Sequence, residues 1–232
     1  METVLRPPLQ LWFNWRLEGL DRIPPEGPLI VAGNHLSYLD PLAHGYFVDK
    51  AGRHPRFLAK QELFDKPIVG TALRGAGQIP VRRGAGDTSS LEEAKQALQE
   101  GEVVVIYPEG TTTMTDPDFS PGPGKTGAVR LSLATGVPIL PVATWGGQYV
   151  WRKDGRQSLA FGRPIWLRAG KRLELRSGVG ADADPATVRA FTDEVMDELS
   201  RLVADLRARY PARWARVGGS GDEEEPRSGS TE

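Results

Sequence analysis

The stretch Asn34-His35-Leu36-Ser37-Tyr38-Leu39-Asp40 puts an imidazole and a carboxylate five positions apart at the end of a short apolar run. A histidine serves as general base when one ring nitrogen faces a reacting hydroxyl and a carboxylate holds the other. That contact fixes the tautomer and stabilises the imidazolium. His35 is the candidate base and Asp40 the candidate orienter. On a regular helix, residues five apart lie about 140° around and ~7.5 Å along, beyond hydrogen-bond reach. Pairing therefore requires a turn between them. The spacing alone also permits a plainer arrangement, with Asp40 capping a helix that begins at Pro41 and His35 bonded to backbone at a strand end.

Two further stretches carry polar groups at strand ends. In Tyr107-Pro108-Glu109-Gly110-Thr111-Thr112-Thr113, the proline and glycine force a tight turn able to present backbone N–H groups, while Glu109 and the hydroxyls offer contacts to a ligand. A solvated loop has the same composition. In residues 77–84, Arg82 and Arg83 follow a short apolar piece. Arginine grips phosphate or carboxylate in a two-pronged fashion, although adjacent arginines are also ordinary surface charge. Gly122-Pro123-Gly124-Lys125-Thr126-Gly127 imitates nucleotide-binding loops, but Phe119 stands where a P-loop needs glycine and no strand leads closely into it. Lys125 at a helix start remains as a single anion contact. No G-x-S-x-G nucleophile elbow occurs.

The elements that must position these residues are partly visible. Residues 29–32, 103–107 and 137–143 are apolar runs that read as buried strands. A helix is expected from Asp40 to about Lys50. A second opens at a Ser90-x-x-Glu93 capping box and closes at Gly101, and a third covers residues 125–135. Val188, Phe191, Val195, Leu199, Leu202 and Leu206 mark a long amphipathic helix that packs on the core. Helix–strand alternation predicts an α/β fold, a mostly parallel central sheet with helices on both faces. The division expected is an interfacial N-terminal segment over residues 1–17, one domain over 18–216 and a disordered acidic tail over 217–232.

Composition narrows the chemistry. The chain has 232 residues, 39% of them apolar, a net charge of −1 and no cysteine. Disulfides, thiolate catalysis and cysteine-ligated metals are thereby excluded, and the three histidines lack ligand spacing, so no metal site is expected. No apolar run reaches the ~18 residues of a membrane span, and no signal peptide is evident. Five acids against one arginine give the last eleven residues a net −4, which leaves +3 on residues 1–221. That is too weak for nucleic acid but suits an anionic membrane surface. Trp12, Phe13 and Trp15 beside Arg6 and Arg16 are the expected docking residues, and a first segment docked on the core is the alternative.

In order, these segments resemble the glycerolipid acyltransferase family typified by the acylglycerol-phosphate acyltransferases. Residues 34–40 resemble its N-H-x-x-x-x-D block, and Arg83 occupies the place of the second block's arginine. Residues 107–111 resemble F-P-E-G-T, and Val137-Pro138-Ile139-Leu140-Pro141-Val142 the fourth block. The likeness spans roughly residues 18–166. It implies that His35 deprotonates a glycerol hydroxyl while Asp40 orients it. The oxygen then attacks the thioester of acyl-CoA or acyl carrier protein directly, with no acyl-enzyme and no cofactor. It further implies that Arg83, assisted by Lys125, binds the phosphate of lysophosphatidic acid, and that Glu109, Gly110 and Thr111 shape the acceptor site. Phosphatidic acid is the implied product, made by a peripheral protein on the cytoplasmic face of the cell membrane. Thr112 departs from the family by replacing an arginine, and Tyr107 by replacing phenylalanine. The first departure keeps open glycerol 3-phosphate or another lysolipid as acceptor. A non-catalytic lipid-binding protein of the same fold is the rival from another class.

Overall fold

The computed structural model describes residues 10–82, 89–113, 118–155, 157–174 and 183–215. Its strands are β1 (Asn14–Glu18), β2 (Leu29–Gly33), β3 (Pro55–Lys60), β4 (Ile79–Val81), β5 (Val103–Ile106), β6 (Ile139–Trp145) and β7 (Pro164–Ala169). They form one seven-stranded sheet in the order β1-β7-β6-β2-β5-β3-β4. Every pairing is parallel except β6 with β7. The helices are α1 (Asp40–Lys50), α2 (Gln61–Phe64), α3 (Pro67–Gly75), α4 (Ser89–Gln99), α5 (Gly127–Thr135) and α6 (Pro185–Arg209).

The expected α/β architecture is present, and side-chain alternation explains it. Ile30 and Ala32 of β2, Val104 and Ile106 of β5 and Ile139 of β6 face α4, α5 and α6. Leu29 and Val31, Val103 and Val105, and Leu140 and Val142 face α1 through Ala43, Phe47 and Val48. Strands covered on both faces need apolar residues at every position, hence continuous runs. α6 begins at Asp184, whose carboxylate accepts from the N–H groups of Ala186 at 2.9 Å and Thr187 at 3.0 Å, with Pro185 as first helical residue.

Several expectations are corrected. The interfacial segment placed over residues 1–17 enters the sheet at Asn14, because β1 pairs along β7 from Asn14 opposite Pro164 to Glu18 opposite Arg168. The expected domain boundary at residue 18 thus falls inside a strand. Phe13 is buried, and Trp15 packs on the α1 side of the core with its ring 4.5 Å from that of Tyr46. Only Trp12 of the three expected docking aromatics is exposed. Ser90 lies inside α4 rather than capping it, α5 starts at Gly127, and β6 runs from Ile139 to Trp145. The acidic tail over 217–232 lies outside the described residues.

β1, at the edge, is tied to α6 by charge. Arg209 donates to both oxygens of Glu18, at 2.8 and 3.1 Å, and to Asp205, which Arg168 also engages. The Arg209 hydrogen bond holds the Glu18 carboxyl below its ordinary range. At Asp205 burial opposes ionisation, but the bonds from Arg209 and Arg168 outweigh it and the net shift is downward. Both carboxylates therefore bind protons less readily folded than unfolded. Their contribution is complete above the ordinary carboxylate range and is lost as pH falls through it toward the lowered values. Arg209→Ala is expected to cost roughly 1 kcal/mol at neutral pH, since the network is half-exposed and screened. Urea melts across a pH series should show the gap to wild type closing as the solution is acidified.

Candidate active site

The end of β2 is pinned by a side chain. Asn34 Oδ1 accepts from the Thr144 N–H at 2.7 Å and its Nδ2 donates to the Thr144 carbonyl at 3.1 Å. The amide thus continues the β2–β6 ladder one residue past the strand while the main chain turns away. Beyond it, Asp40 is the first residue of α1 and directs its carboxylate backward. Oδ2 accepts from the Leu36 N–H at 2.5 Å and the Ser37 N–H at 2.7 Å, and Oδ1 accepts from the Ser37 hydroxyl at 2.7 Å. His35 Nδ1 lies 3.1 Å from Oδ2. The turn that the five-residue spacing required is therefore present. The plainer arrangement, Asp40 capping forward, is not what the structure adopts.

A carboxylate only accepts, so His35 Nδ1 carries the ring proton and Nε2 carries the lone pair. The Asp40 side chain is 1% exposed and that of His35 17%, so the carboxylate is sealed while the imidazole reaches solvent. Ionised Asp40 is sustained by these donors and by the positive N-terminal end of α1. Gly147, after β6, must be glycine here, because a Cβ would lie 2.5 Å from Ser37 Oγ and 2.8 Å from Asp40 Oδ1.

The loop after β5 grips the backbone of His35 from both sides. Glu109 Oε1 accepts the His35 N–H at 3.0 Å, and the Thr113 N–H donates to the His35 carbonyl at 2.7 Å. Glu109 Oε2 accepts from the Gly122 N–H at 3.1 Å and from the Thr113 hydroxyl. Burial raises the Glu109 carboxyl above its ordinary range despite the opposing Gly122 and His35 bonds. Glu109 joins the two loops, with both oxygens on the protein's own donors.

Of the other expected contacts, Gly110 adopts φ +66°, and the end of the Lys125 side chain lies against it. Thr111 is exposed, with its hydroxyl 3.4 Å from Lys153 Nζ. His35, Asp40, Glu109, Gly110, Thr111 and Lys125 are thus brought into one neighbourhood, the last through its N–H bond to the Pro108 carbonyl at 2.8 Å. Arg83 lies outside the described residues. The Gly-Lys-Thr run is no phosphate cradle: Gly124 packs on α6, where a Cβ would meet Met196 at 2.7 Å, and its carbonyl accepts from Arg189 at 2.8 Å. Among the described residues no group of three potential metal ligands occurs.

Sequence reasoning missed a second layer. The Tyr107 ring stacks on the His35 imidazole at 4.5 Å and 23°, and its hydroxyl lies 3.3 Å from His44 Nδ1. Burial lowers the pKa of His44 and raises that of Tyr107 well above its ordinary value. His44 Nε2 lies 3.0 Å from the Val142 carbonyl and Nδ1 3.0 Å from the Asp40 carbonyl, so the neutral ring donates to one of the two, with the Tyr107 hydroxyl beside Nδ1. Gly33 makes room for the pair, since a Cβ there would lie 2.7 Å from His44 Nε2. The available signal was the placement of His44 one helical turn after Asp40.

With this geometry in view, comparison with known proteins is decisive. The model of the family described as Acyltransferase matches residues 14–145, more than half of the chain. The chain belongs to the acyltransferase family. A 1-acyl-sn-glycerol-3-phosphate acyltransferase of Bacillus subtilis (strain 168) is 30% identical over 148 residues, covering 62% of this chain and 70% of that protein. A chloroplastic 1-acyl-sn-glycerol-3-phosphate acyltransferase of Brassica napus is 29% identical over 58% of this chain, a match spanning only 38% of the plant protein. The crystal structure of the 1-acyl-sn-glycerophosphate acyltransferase PlsC from Thermotoga maritima superposes with a TM-score of 0.65 at 25% identity, covering 88% of this chain and 76% of that one. The resemblance read from the motifs is borne out. For an acyltransferase with this geometry, Asp40→Asn is expected to keep the fold but lower kcat at least 100-fold, because the amide no longer enforces the tautomer. Circular dichroism and steady-state kinetics on one preparation test this.

Proposed function

We propose that this acyltransferase moves a fatty acyl chain from acyl-CoA or acyl carrier protein to the free hydroxyl of 1-acylglycerol 3-phosphate, forming phosphatidic acid. The observation that carries the reading is the sealed Asp40 holding Nδ1 of a partly open His35. Nε2 takes the hydroxyl proton as the oxygen attacks the thioester carbonyl. The tetrahedral intermediate collapses to the ester, and the departing thiolate recovers the proton from the imidazolium. The names of the bacterial and plant relatives support a lysophosphatidic acid acceptor.

Acyl transfer from oleoyl-CoA to lysophosphatidic acid, glycerol 3-phosphate and monoacylglycerol tests the assignment, with His35→Ala as control. Lysophosphatidic acid is expected to be preferred, and His35→Ala to lose turnover by on the order of 1,000-fold or more. Preference for another acceptor reassigns the substrate. Equal turnover by folded His35→Ala overturns the mechanism.

We further propose that the enzyme works at the surface of a membrane, on its cytoplasmic face. No described helix is long and apolar enough to cross a bilayer. Leu11, Trp12, Leu159 and Phe161 are 75%, 45%, 60% and 69% exposed, and they gather because Trp12 Nε1 donates to the Leu159 carbonyl at 2.8 Å and its ring meets Phe161 edge-on at 5.7 Å. Such a cluster suits the headgroup boundary. Trp12→Ala with Phe161→Ala is expected to reduce co-sedimentation with anionic phospholipid vesicles roughly tenfold or more, by loss of buried apolar area. Unchanged binding would move the docking surface elsewhere.

A further inference from the structure

We propose that Lys153, from the loop after β6, supplies the acceptor-binding charge that the third motif lacks. The inference rests on the phosphate-bearing acceptor proposed above. Thr112, at the place where the family pattern has arginine, is 8% exposed and carries no charge, so nothing at that position presents a cation to the turn. Two ammonium groups approach the same turn from other elements. A Cβ at Gly110 would lie 2.7 Å from Lys125 Nζ, which places that group across residue 110. Lys153 Nζ lies 3.4 Å from Thr111 Oγ1, on the adjoining residue.

The approach of Lys153 is built into the fold. Trp151 and Gln157 form an antiparallel bridge, the Gly155 N–H donates to the Arg152 carbonyl at 3.3 Å, and the Ser158 N–H donates to the Val150 carbonyl at 2.9 Å. This hairpin starts from the Gly147 turn that packs on Asp40, and the Trp151 carbonyl accepts the Tyr38 N–H at 3.1 Å inside the His35 loop. The neighbouring Asp154 carboxylate lies 3.0 Å from Arg152 Nε. A phosphate monoester, carrying close to two negative charges at neutral pH, fits a turn flanked by two ammoniums. The Glu109 and Thr113 bonds to His35 fix that turn relative to the imidazole, so a phosphate seated on Gly110 and Thr111 positions the rest of the acceptor against the base. Lysine acts here as a point charge rather than a planar fork, so arginine substitutes for it.

Two measurements on the full chain test the assignment. Lys153→Ala is expected to raise KM for lysophosphatidic acid about tenfold, with kcat at saturating acceptor and KM for oleoyl-CoA near wild type, and Lys153→Arg to restore KM. An unchanged acceptor KM overturns the proposal, as does an equal rise in both KM values, which would mean that the loop has collapsed. Independently of turnover, lysine labelling with an amine-acylating reagent, read by mass spectrometry, is expected to show Lys125 and Lys153 protected by glycerol 3-phosphate but not by glycerol, with Lys50 and Lys171 unaffected. Labelling of Lys153 indifferent to the phosphate overturns the proposal. Protection of Lys153 in an enzyme that acylates no phosphate-bearing acceptor upholds this anion site and sinks the acceptor assignment instead.

Discussion

The ionised carboxylate of Asp40 is the constraint around which the site is arranged. An isolated carboxylate removed from water is among the costliest groups a fold can contain, and it persists only when its lone pairs are met by donors. Asp40 collects them from the three residues His35, Leu36 and Ser37, just ahead of the helix it begins. Satisfying one charge therefore curls the chain into a turn. The same turn places an imidazole beside that charge with its free nitrogen outward. Structure and chemistry here share a cause, since a residue that relaxed the turn would also release the ring.

Sheet topology brings the other walls to this point. β2 lies between β5 and β6, all three run parallel, and each releases its following loop at the same edge. The loop after β5 supplies Glu109 and Tyr107, and the loop after β6 supplies Gly147 and the hairpin beyond it. Open parallel sheets gather sites at the carboxyl ends of their strands for this reason. The cross-links that make the three loops one body are side chain to backbone: Asn34 to Thr144, Glu109 to His35 and Gly122, and His44 to Val142. A strand ladder cannot extend past the sheet edge, and these polar side chains replace it there.

The three central strands were legible because burial on both faces leaves an uninterrupted apolar run. β1, β3, β4 and β7 were not, β3 because its residues are only half-buried. β1 reads Asn-Trp-Arg-Leu-Glu at a half-solvated edge, β4 is three residues long around Pro80, and β7 opens on Pro164. The reversed direction of β7 leaves no mark at all, since alternation of side chains is the same whichever way a strand runs. Within the site, His35 and Asp40 could be read from chemistry and spacing. The partners of Glu109 could not be read, because they come from positions 35, 113 and 122. Tyr107 reads as a trivial replacement of phenylalanine until its hydroxyl is seen against His44 of α1.

The pairing of β1 with β7 joins residues roughly 150 positions apart. On a ribosome adding about 5–20 residues each second, the N-terminal strand waits on the order of ten seconds for its partner to emerge. β2, β3, β5 and β6 are complete before then, and closing so long a loop costs little more than closing a moderate one. The β1 edge of the sheet is therefore laid down after the central strands, with α6 still to come. Trp12 meets Leu159 and Phe161 only at that step, so the nascent chain holds its aromatic residues apart during synthesis and assembles a sticky surface once the central strands are behind it.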